Sequence, residues 1–138
     1  MSGYVNRSSG RGRSFAQAID ICLQNYVGFA GRAPRSEYWY WTLFCALLGL
    51  VVGFVFGFLA IILHDRALYH VATAAMELAI LLPSLTVGIR RLHDINRSGW
   101  WLLITFVPLA GGILLLVWFC TRGTTGQNRF GPDPLAEY

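Results

Sequence analysis

Long apolar runs alternate with short polar segments along this 138-residue chain. One run covers residues 39–63, a second covers 69–89 and a third covers 100–120. Each provides the roughly 20 residues that an α-helix needs to cross a hydrocarbon core. The first spans about 37 Å at about 1.5 Å per residue, so we expect that helix to tilt. The pattern predicts an all-α integral membrane protein with three transmembrane helices.

Two of these runs contain residues that interrupt helices. Pro83 lies inside the second run, where it should kink or locally open the helix. Pro108, Gly111 and Gly112 interrupt the third run. The third run is therefore either one kinked crossing or a re-entrant hairpin of two half-helices. Because its 21 residues fit a single crossing, we expect the crossing.

The segment before the first run predicts a short amphipathic helix. Ser14 can cap it, and apolar residues then recur at three- and four-residue spacing. We expect this helix to lie at the membrane interface, the alternative being a helix packed on the loops. Residues 1–13 are rich in Gly, Ser and Arg and predict a disordered basic tail. Residues 14–138 would form a single membrane domain. The apolar positions of the helix are Phe15, Ile19, Cys22 or Leu23, and Tyr26.

Composition supports a membrane protein over a soluble one. Hydrophobic residues make up 55% of the chain and charged residues 13%, whereas an average soluble domain has about 25% charged residues. The apolar residues are also segregated into runs. Residues 1–14 contain no apolar segment of the kind found in a signal peptide, so the first span should act as an uncleaved anchor.

The arginines predict the topology. The chain has 11 basic residues, all Arg, and a net charge of +4. Five precede the first span, one (Arg66) follows it, three lie at positions 90–97 and two lie in the tail. Because positive segments remain in the cytoplasm, we expect a multi-pass inner-membrane protein with a cytoplasmic N-terminus and 90–99 loop. Three crossings would place the tail outside, although its two arginines favour the cytoplasm.

The polar segment 89–101 suggests an ionic layer. Positive-inside bias explains its arginines, but not the carboxylates expected at the same membrane face. Such a layer could tie the turn before the first span to the central loop, or hold the phosphates of anionic lipids. The residues of this predicted layer are Arg32, Arg35, Glu37, Arg90, Arg91, Asp94 and Arg97.

Two further features lie inside the spans. Gly49, Gly53 and Gly57 are spaced by four and would form a packing face, against a helix of the same chain or of another copy in a homo-oligomer. Glu77 lies near the middle of the second span, where an ionisable group is costly and a functional candidate by default. The alternative is a protonated Glu77 that hydrogen-bonds to a neighbouring helix.

Other chemistry has weaker support. His93 and Asp94 form the most enzyme-like pair, but side chains adjacent in sequence rarely point at each other, and no nucleophile is evident. The predicted topology separates the three histidines, and the odd number of cysteines provides no disulfide framework. We expect no metal, no cofactor and no nucleic-acid partner. The basic segments adjoin the bilayer, where anionic lipid is the nearer polyanion.

Three segments together resemble a known family. They are residues 26–39, residues 90–101 and residues 126–134. In this order they resemble domain-of-unknown-function family eight hundred and five, the YhaH/YhaI-like bacterial inner-membrane proteins. The resemblance implies a small multi-helix protein of the inner membrane and no established activity, substrate or cofactor. Glu77 and the tail 1–13 lie outside the pattern of the family.

These observations lead to three functional hypotheses. The first is a structural or interaction protein whose cytoplasmic arginine, aspartate and tryptophan layer contacts anionic lipid or a partner. The second is an oligomeric pathway for a small solute or an ion, lined by Glu77. The third is a membrane enzyme that uses His93 and Asp94.

Overall fold

The computed structural model describes residues 12–136, which contain four α-helices and one 3-10 helix. No strand is found in this range, apart from one isolated bridge between Asn128 and Gly131. The all-α prediction is confirmed. The α-helices are α1 (Phe15–Gln24), α2 (Arg35–Leu63), α3 (Arg66–Asp94) and α4 (Ala110–Cys120), and the 3-10 helix is Gly99–Phe106.

Helices α2 and α3 form a long helical hairpin that contains the first two predicted spans. Each has 29 residues and is apolar enough to cross a membrane. Only two residues connect them. His64 ends α2 in the left-handed conformation, with φ 53°, and Asp65 caps α3 by accepting a hydrogen bond of 2.8 Å from the Ala67 amide. The sharp reversal places the two helices side by side in opposite directions.

Helix α3 continues through Pro83 instead of opening there. A proline has no N–H, so the carbonyl four residues earlier, that of Ala79, loses its usual donor. The hydroxyl of Tyr26 donates a hydrogen bond to this carbonyl. The segment that follows α1 therefore satisfies the group that Pro83 leaves free, and it attaches α1 to α3.

The third apolar run is not one continuous helix. The 3-10 helix and α4 are separated by a turn at 107–109, in which Leu109 has φ 61°. The rings of Trp101 and Trp118 meet edge to face at 5.6 Å, although a straight α-helix would separate these residues by about 25 Å. A Cβ on Gly111 would overlap the carbonyl oxygen of Ile104. Residues 100–120 therefore do not form one kinked helix as the expected crossing requires; they form two arms that fold back on each other, as in the alternative of a hairpin of two half-helices.

Helix α1 matches the predicted amphipathic segment in position but not entirely in its buried face. Ser14 and Gln17 form a capping box at its start. The residues it buries are Ala18 and Cys22, whereas Leu23 is 51% exposed. Its buried face packs mainly against α2, next to Trp41.

The predicted basic tail lies largely outside the described residues, which begin at Gly12. Its last residue, Arg13, lies against the start of α2, where its amide donates a hydrogen bond of 2.7 Å to the Ser36 hydroxyl.

Buried side chains are concentrated at one end of the molecule. We call residues 12–41 and 83–136 the polar end and residues 42–82 the apolar half. In the apolar half, only Ala60 is buried among the described residues. Helix α1, the start of α2, the end of α3 and both arms of the folded third run meet at the polar end. This end therefore contains the packed core of the protein.

Candidate functional site

The carboxylate of Asp94, at the end of α3, is the centre of the first of two buried ionic clusters. Asp94 is 3% exposed. Its Oδ1 accepts a hydrogen bond of 3.0 Å from Arg32 Nε, and its Oδ2 accepts one of 2.9 Å from Arg91 Nη1. A buried carboxylate is costly unless it is paired and fully hydrogen-bonded. Two arginines from different segments provide this compensation.

Both arginines direct their remaining donors to backbone carbonyls. Arg32 Nη1 donates to the Gly126 carbonyl at 2.6 Å, and Nη2 donates to the carbonyl of Thr124. Arg91 donates to the carbonyls of Phe119, at 3.2 Å, and Thr121. Because the last carbonyls of a helix lack intrahelical partners, Arg91 acts as a C-terminal cap for α4. The cluster therefore joins the turn before α2, the end of α3, the end of α4 and the tail.

The tail also packs directly on Asp94. A Cβ on Gly123 would overlap the Asp94 carboxylate, so only glycine fits there without rearrangement. The amide of Thr124 donates a hydrogen bond of 2.8 Å to the backbone carbonyl of Asp94. The tail thus covers the carboxylate and helps to exclude water from it.

Glu37 is the centre of the second cluster and is fully buried. Arg90 Nη2 lies 2.6 Å from Glu37 Oε1, and Arg13 Nε lies 3.8 Å from Oε2. The thiol of Cys22 is 4.0 Å from Oε1. Burial, together with the negative charge of Glu37, raises the pKa of Cys22 to about 12. This thiol is therefore protonated at neutral pH and a poor nucleophile.

The local sequence explains why these charges suit their positions. Glu37 lies in the first turn of α2, and Arg91 and His93 lie in the last turn of α3. Acidic groups are favourable at a helix N-terminus and basic groups at a C-terminus, because each opposes the partial charge of the helix end. The antiparallel hairpin brings these two ends together, where Glu37 pairs with Arg90, whereas Arg91 pairs with Asp94.

The seven residues of the predicted ionic layer all lie at the polar end, in two different environments. Arg35 is exposed and donates a hydrogen bond of 3.2 Å to the Cys120 carbonyl. Arg97 is partly exposed and stacks on Trp118, with its guanidinium 4.2 Å from the ring centre. The other five are buried in the two clusters: Arg32, Glu37, Arg90, Arg91 and Asp94.

Two cavities meet at Arg35 and Ser36. The first has a volume of about 620 Å³, and its lining is polar and apolar in nearly equal parts. The second is a cleft of about 440 Å³ that is lined mainly by apolar surface, including Trp39 and Tyr40. The first cavity, which we call the polar cavity because it is the more polar of the two, therefore adjoins an apolar cleft, with one exposed guanidinium at their junction. Besides the two shared residues, the polar cavity is lined by Asp94, Arg122, Gly123 and Asp133, among others.

His93 and Asp94 do not pair with each other. The His93 ring donates from Nδ1 to the Gly31 carbonyl at 3.0 Å and stacks on Phe130 at 4.0 Å. Within residues 12–136 no hydrogen bond joins this ring to the Asp94 carboxylate, which instead faces Arg32 and Arg91. In the same range, no three His, Cys, Asp or Glu side chains are grouped as metal ligands would be.

The glycine face of α2 is directed towards α3 but packs loosely. A Cβ on Gly49 would lie 3.9 Å from Met76, and one on Gly57 would lie 3.9 Å from Tyr69. A Cβ on Gly53 would have no neighbour within 4 Å. The central glycine of the predicted face is therefore not the site of a close approach between backbones of this chain.

Glu77 is separate from both ionic clusters. Its side chain is exposed on α3, in the apolar half. None of the ion pairs or side-chain hydrogen bonds found among residues 12–136 involves it. Glu77 does not line either of the two cavities at Arg35. It also does not line a third cavity, of about 630 Å³, at the turn between α2 and α3.

Sequence reasoning missed the contribution of the tail and of Arg13. The carbonyls of Thr124 and Gly126 accept from Arg32, and Asn128 Nδ2 donates to the His93 carbonyl at 2.9 Å. The sequence did single out residues 126–134, as one of the three segments that resemble the family. The motif did not indicate that the carbonyl of its first residue, Gly126, accepts a hydrogen bond from the buried Arg32.

Comparisons with known proteins provide a family but no activity. Residues 26–132 match the model of a family described as a protein of unknown function (DUF805). The inner membrane protein YhaI of Escherichia coli strain K12 is 47% identical over 112 residues, covering 81% of this chain and 90% of YhaI. The inner membrane protein YhaH of the same strain is 43% identical over 117 residues, covering 83% of this chain and 93% of YhaH. No solved structure matches the chain.

Proposed function

This chain belongs to the DUF805 family of proteins of unknown function, and we propose that it is a structural or interaction protein whose polar end contacts anionic lipid. The family resemblance identified from the three motifs is confirmed. Inner-membrane localisation is supported by the names of YhaI and YhaH, and the chain has two helices long and apolar enough to span a membrane. Neither relative is named for a reaction, so the proposal rests on the geometry of the polar end.

The proposed topology has two crossings and one re-entrant hairpin. Helices α2 and α3 would cross the membrane, and the 3-10 helix and α4 would enter and leave at the same face. If the polar end is cytoplasmic, every arginine between residues 12 and 136 except Arg66 faces the cytoplasm. The conflict between three crossings and the two arginines of the tail then disappears.

Cysteine labelling tests this topology. In a variant without the native cysteines, Ala67→Cys should react with an impermeant maleimide added outside, whereas Ser98→Cys and Thr125→Cys should react only after permeabilisation. External labelling of Thr125→Cys with protection of Ser98→Cys would support a third crossing instead. Labelling of Ser98→Cys from outside would invert the proposed orientation.

One observation carries the proposal of lipid contact: the exposed Arg35 lies where a polar cavity meets an apolar cleft. A guanidinium binds phosphate through two parallel hydrogen bonds. The neighbouring Trp39 and Tyr40 are of the types that are enriched at the membrane–water boundary. A phospholipid combines a phosphate with apolar chains, so it matches the adjoining polar and apolar surfaces. The exposed Arg122 adds a second positive charge to the polar cavity.

The buried arginines have a different role in this proposal. Arg32 and Arg91 already donate to Asp94 and to backbone carbonyls, so few donors remain for a phosphate. They would instead hold the tail and α4 in place beside Arg35. The buried arginines would therefore hold segments of the protein together, and the exposed Arg35 would contact lipid. These are the two functions considered for the layer.

The lipid proposal is tested with Arg35→Gln and the matched control Arg66→Gln, since Arg66 is also exposed but lies at the opposite end. We expect Arg35→Gln to retain less phosphatidylglycerol and cardiolipin after purification in a mild detergent, as measured by mass spectrometry. Added phosphatidylglycerol, but not phosphatidylcholine, should raise the melting temperature of the wild type and of Arg66→Gln more than that of Arg35→Gln. Equal lipid retention and equal shifts in both variants would refute the proposal.

A further inference from the structure

Glu77 occupies the middle of α3, far along the helix from the arginines at its two ends. It follows Arg66 by 11 residues and precedes Arg90 by 13, which correspond to about 16 Å and 20 Å along the helix. In the proposed two-crossing topology this places its carboxyl group near the midplane of the membrane. The side chain is exposed there, among leucines and alanines of the same helix.

The described chain offers Glu77 no partner at this depth. The nearest polar side chain on the same helical face is Thr73, whose hydroxyl lies 3.0 Å from the Tyr69 carbonyl and 3.2 Å from the His70 carbonyl. Helix α2 packs on a different face of α3, which contains Met76. A polar group facing lipid is costly, because the hydrocarbon provides no hydrogen bonds. Because residues 12–136 provide no partner for this carboxyl group, we consider a partner from another molecule.

Glu77 belongs to a stripe suited to helix packing. Residues at three- and four-residue spacing share one helical face, and each residue of this stripe is exposed. Ala74 is small and precedes Glu77 by about one turn, so a second helix can approach closely beside the carboxyl group. The stripe consists of His70, Ala74, Glu77 and Leu81.

We propose that this stripe is a homodimer interface in which Glu77 hydrogen-bonds to Glu77 of a second copy. All copies insert with the same orientation, so a two-fold axis along the membrane normal places identical residues at the same depth. A protonated carboxyl group is both a donor and an acceptor, so two such groups satisfy each other. A second copy therefore supplies the missing partner without any further residue. The inference goes beyond the proposed lipid contact and depends only on the membrane crossing of α3.

Disulfide crosslinking in membranes tests which face is in contact. In a background of Cys22→Ala, Cys45→Ala and Cys120→Ala, we expect Ala74→Cys and Leu81→Cys each to form a dimer when an oxidant is added. The matched controls are Ala75→Cys and Leu82→Cys, which are also exposed but turned about 100° around the helix. These should stay monomeric. Equal crosslinking of tests and controls, or a crosslinked product that contains a different protein, would overturn the proposal.

The role of the carboxyl group is tested by measuring dimerisation in liposomes by energy transfer at increasing lipid dilution. We expect Glu77→Leu to raise the dimer dissociation constant about 3- to 30-fold, the range for one interhelical hydrogen bond in a membrane. Glu77→Gln should stay near the wild type, because a carboxamide also donates and accepts. A wild type that is monomeric at every dilution, or an unchanged constant for Glu77→Leu, would overturn the proposal. Arg35→Gln should leave dimerisation unaltered, so the dimer and the lipid contact can fail separately.

Discussion

The polar end and the apolar half of this protein are stabilised in different ways. The polar end buries five charged residues of the predicted layer, and it joins α2, α3, α4 and the tail by ion pairs and bonds to backbone carbonyls. In the apolar half, α2 and α3 contact each other loosely, and Phe54 and Leu78 remain 77% and 70% exposed. One region is held by its own contacts, and the other depends on its surroundings.

The physical basis of this difference is the surrounding solvent. Lipid chains are as apolar as leucine, so no hydrophobic force drives α2 and α3 to bury their side chains against each other. Charges, helix ends and turn carbonyls, by contrast, need partners wherever water is excluded. Internal bonds are therefore concentrated where the chain leaves regular helix, at the polar end.

The largest effect is expected from Asp94→Asn. This change leaves Arg32 and Arg91 buried without their shared anion, and the loss of one partner of a buried pair costs about 3–5 kcal/mol. We expect the free energy of unfolding, measured by titration with SDS, to fall by that amount. Asp20→Asn is the control, because Asp20 is exposed and bonds only to Gln24 among the described residues. Equal stability of the two variants would show that the Asp94 cluster does not hold the polar end together.

Gly111→Ala should be the next most disruptive change. Its Cβ would overlap the Ile104 carbonyl and force the two arms of the hairpin apart, at a cost of about 1–3 kcal/mol for overpacking. Gly112→Ala is the matched control, because a Cβ there has no neighbour within 4 Å. A lower melting temperature for Gly111→Ala than for Gly112→Ala would support the folded-back arrangement of the two arms. Identical melting would argue for a more open arrangement.

Tyr26→Phe tests the link between the two regions. It removes the donor to the Ala79 carbonyl. If α3 crosses the membrane, this exposed carbonyl then faces lipid without a hydrogen bond, which costs about 1–3 kcal/mol because no water can replace the donor. In a Pro83→Ala background the new amide can bond to Ala79, so Tyr26→Phe should then cost less. A double-mutant cycle on the free energy of unfolding measures this coupling. A coupling energy of zero would mean that Tyr26 contributes nothing to the carbonyl freed by Pro83.

The smallest effect on folding is expected from Gly53→Leu. The glycine spacing alone predicts a tightly packed face, but a Cβ at Gly53 has no neighbour within 4 Å in this chain. We expect the free energy of unfolding to change by less than about 0.5 kcal/mol, as is usual for substitutions away from packed sites. A large loss would reveal close packing in the apolar half and weaken the contrast with the polar end.

Periodicity and charge were sufficient to predict much of this structure. Residues 39–63 and 69–89 lie within α2 and α3, and Ser14 caps α1 as its position suggests. Long apolar runs predict helices because every backbone group must be satisfied internally in lipid. The sequence motifs identified the family, and the mixture of arginines and carboxylates around residue 94 indicated a polar layer.

Only the tertiary structure decided how that layer is organised. A run of 21 residues fits either one crossing or two short arms, and the contacts of Trp101 with Trp118 and of Gly111 with Ile104 select the arms. The sequence gives no reason to distinguish Arg32 from Arg35. In the structure, however, Arg32 is buried against Asp94 and Arg35 is exposed. Distances between segments remote in the chain depend on packing, which no local pattern encodes.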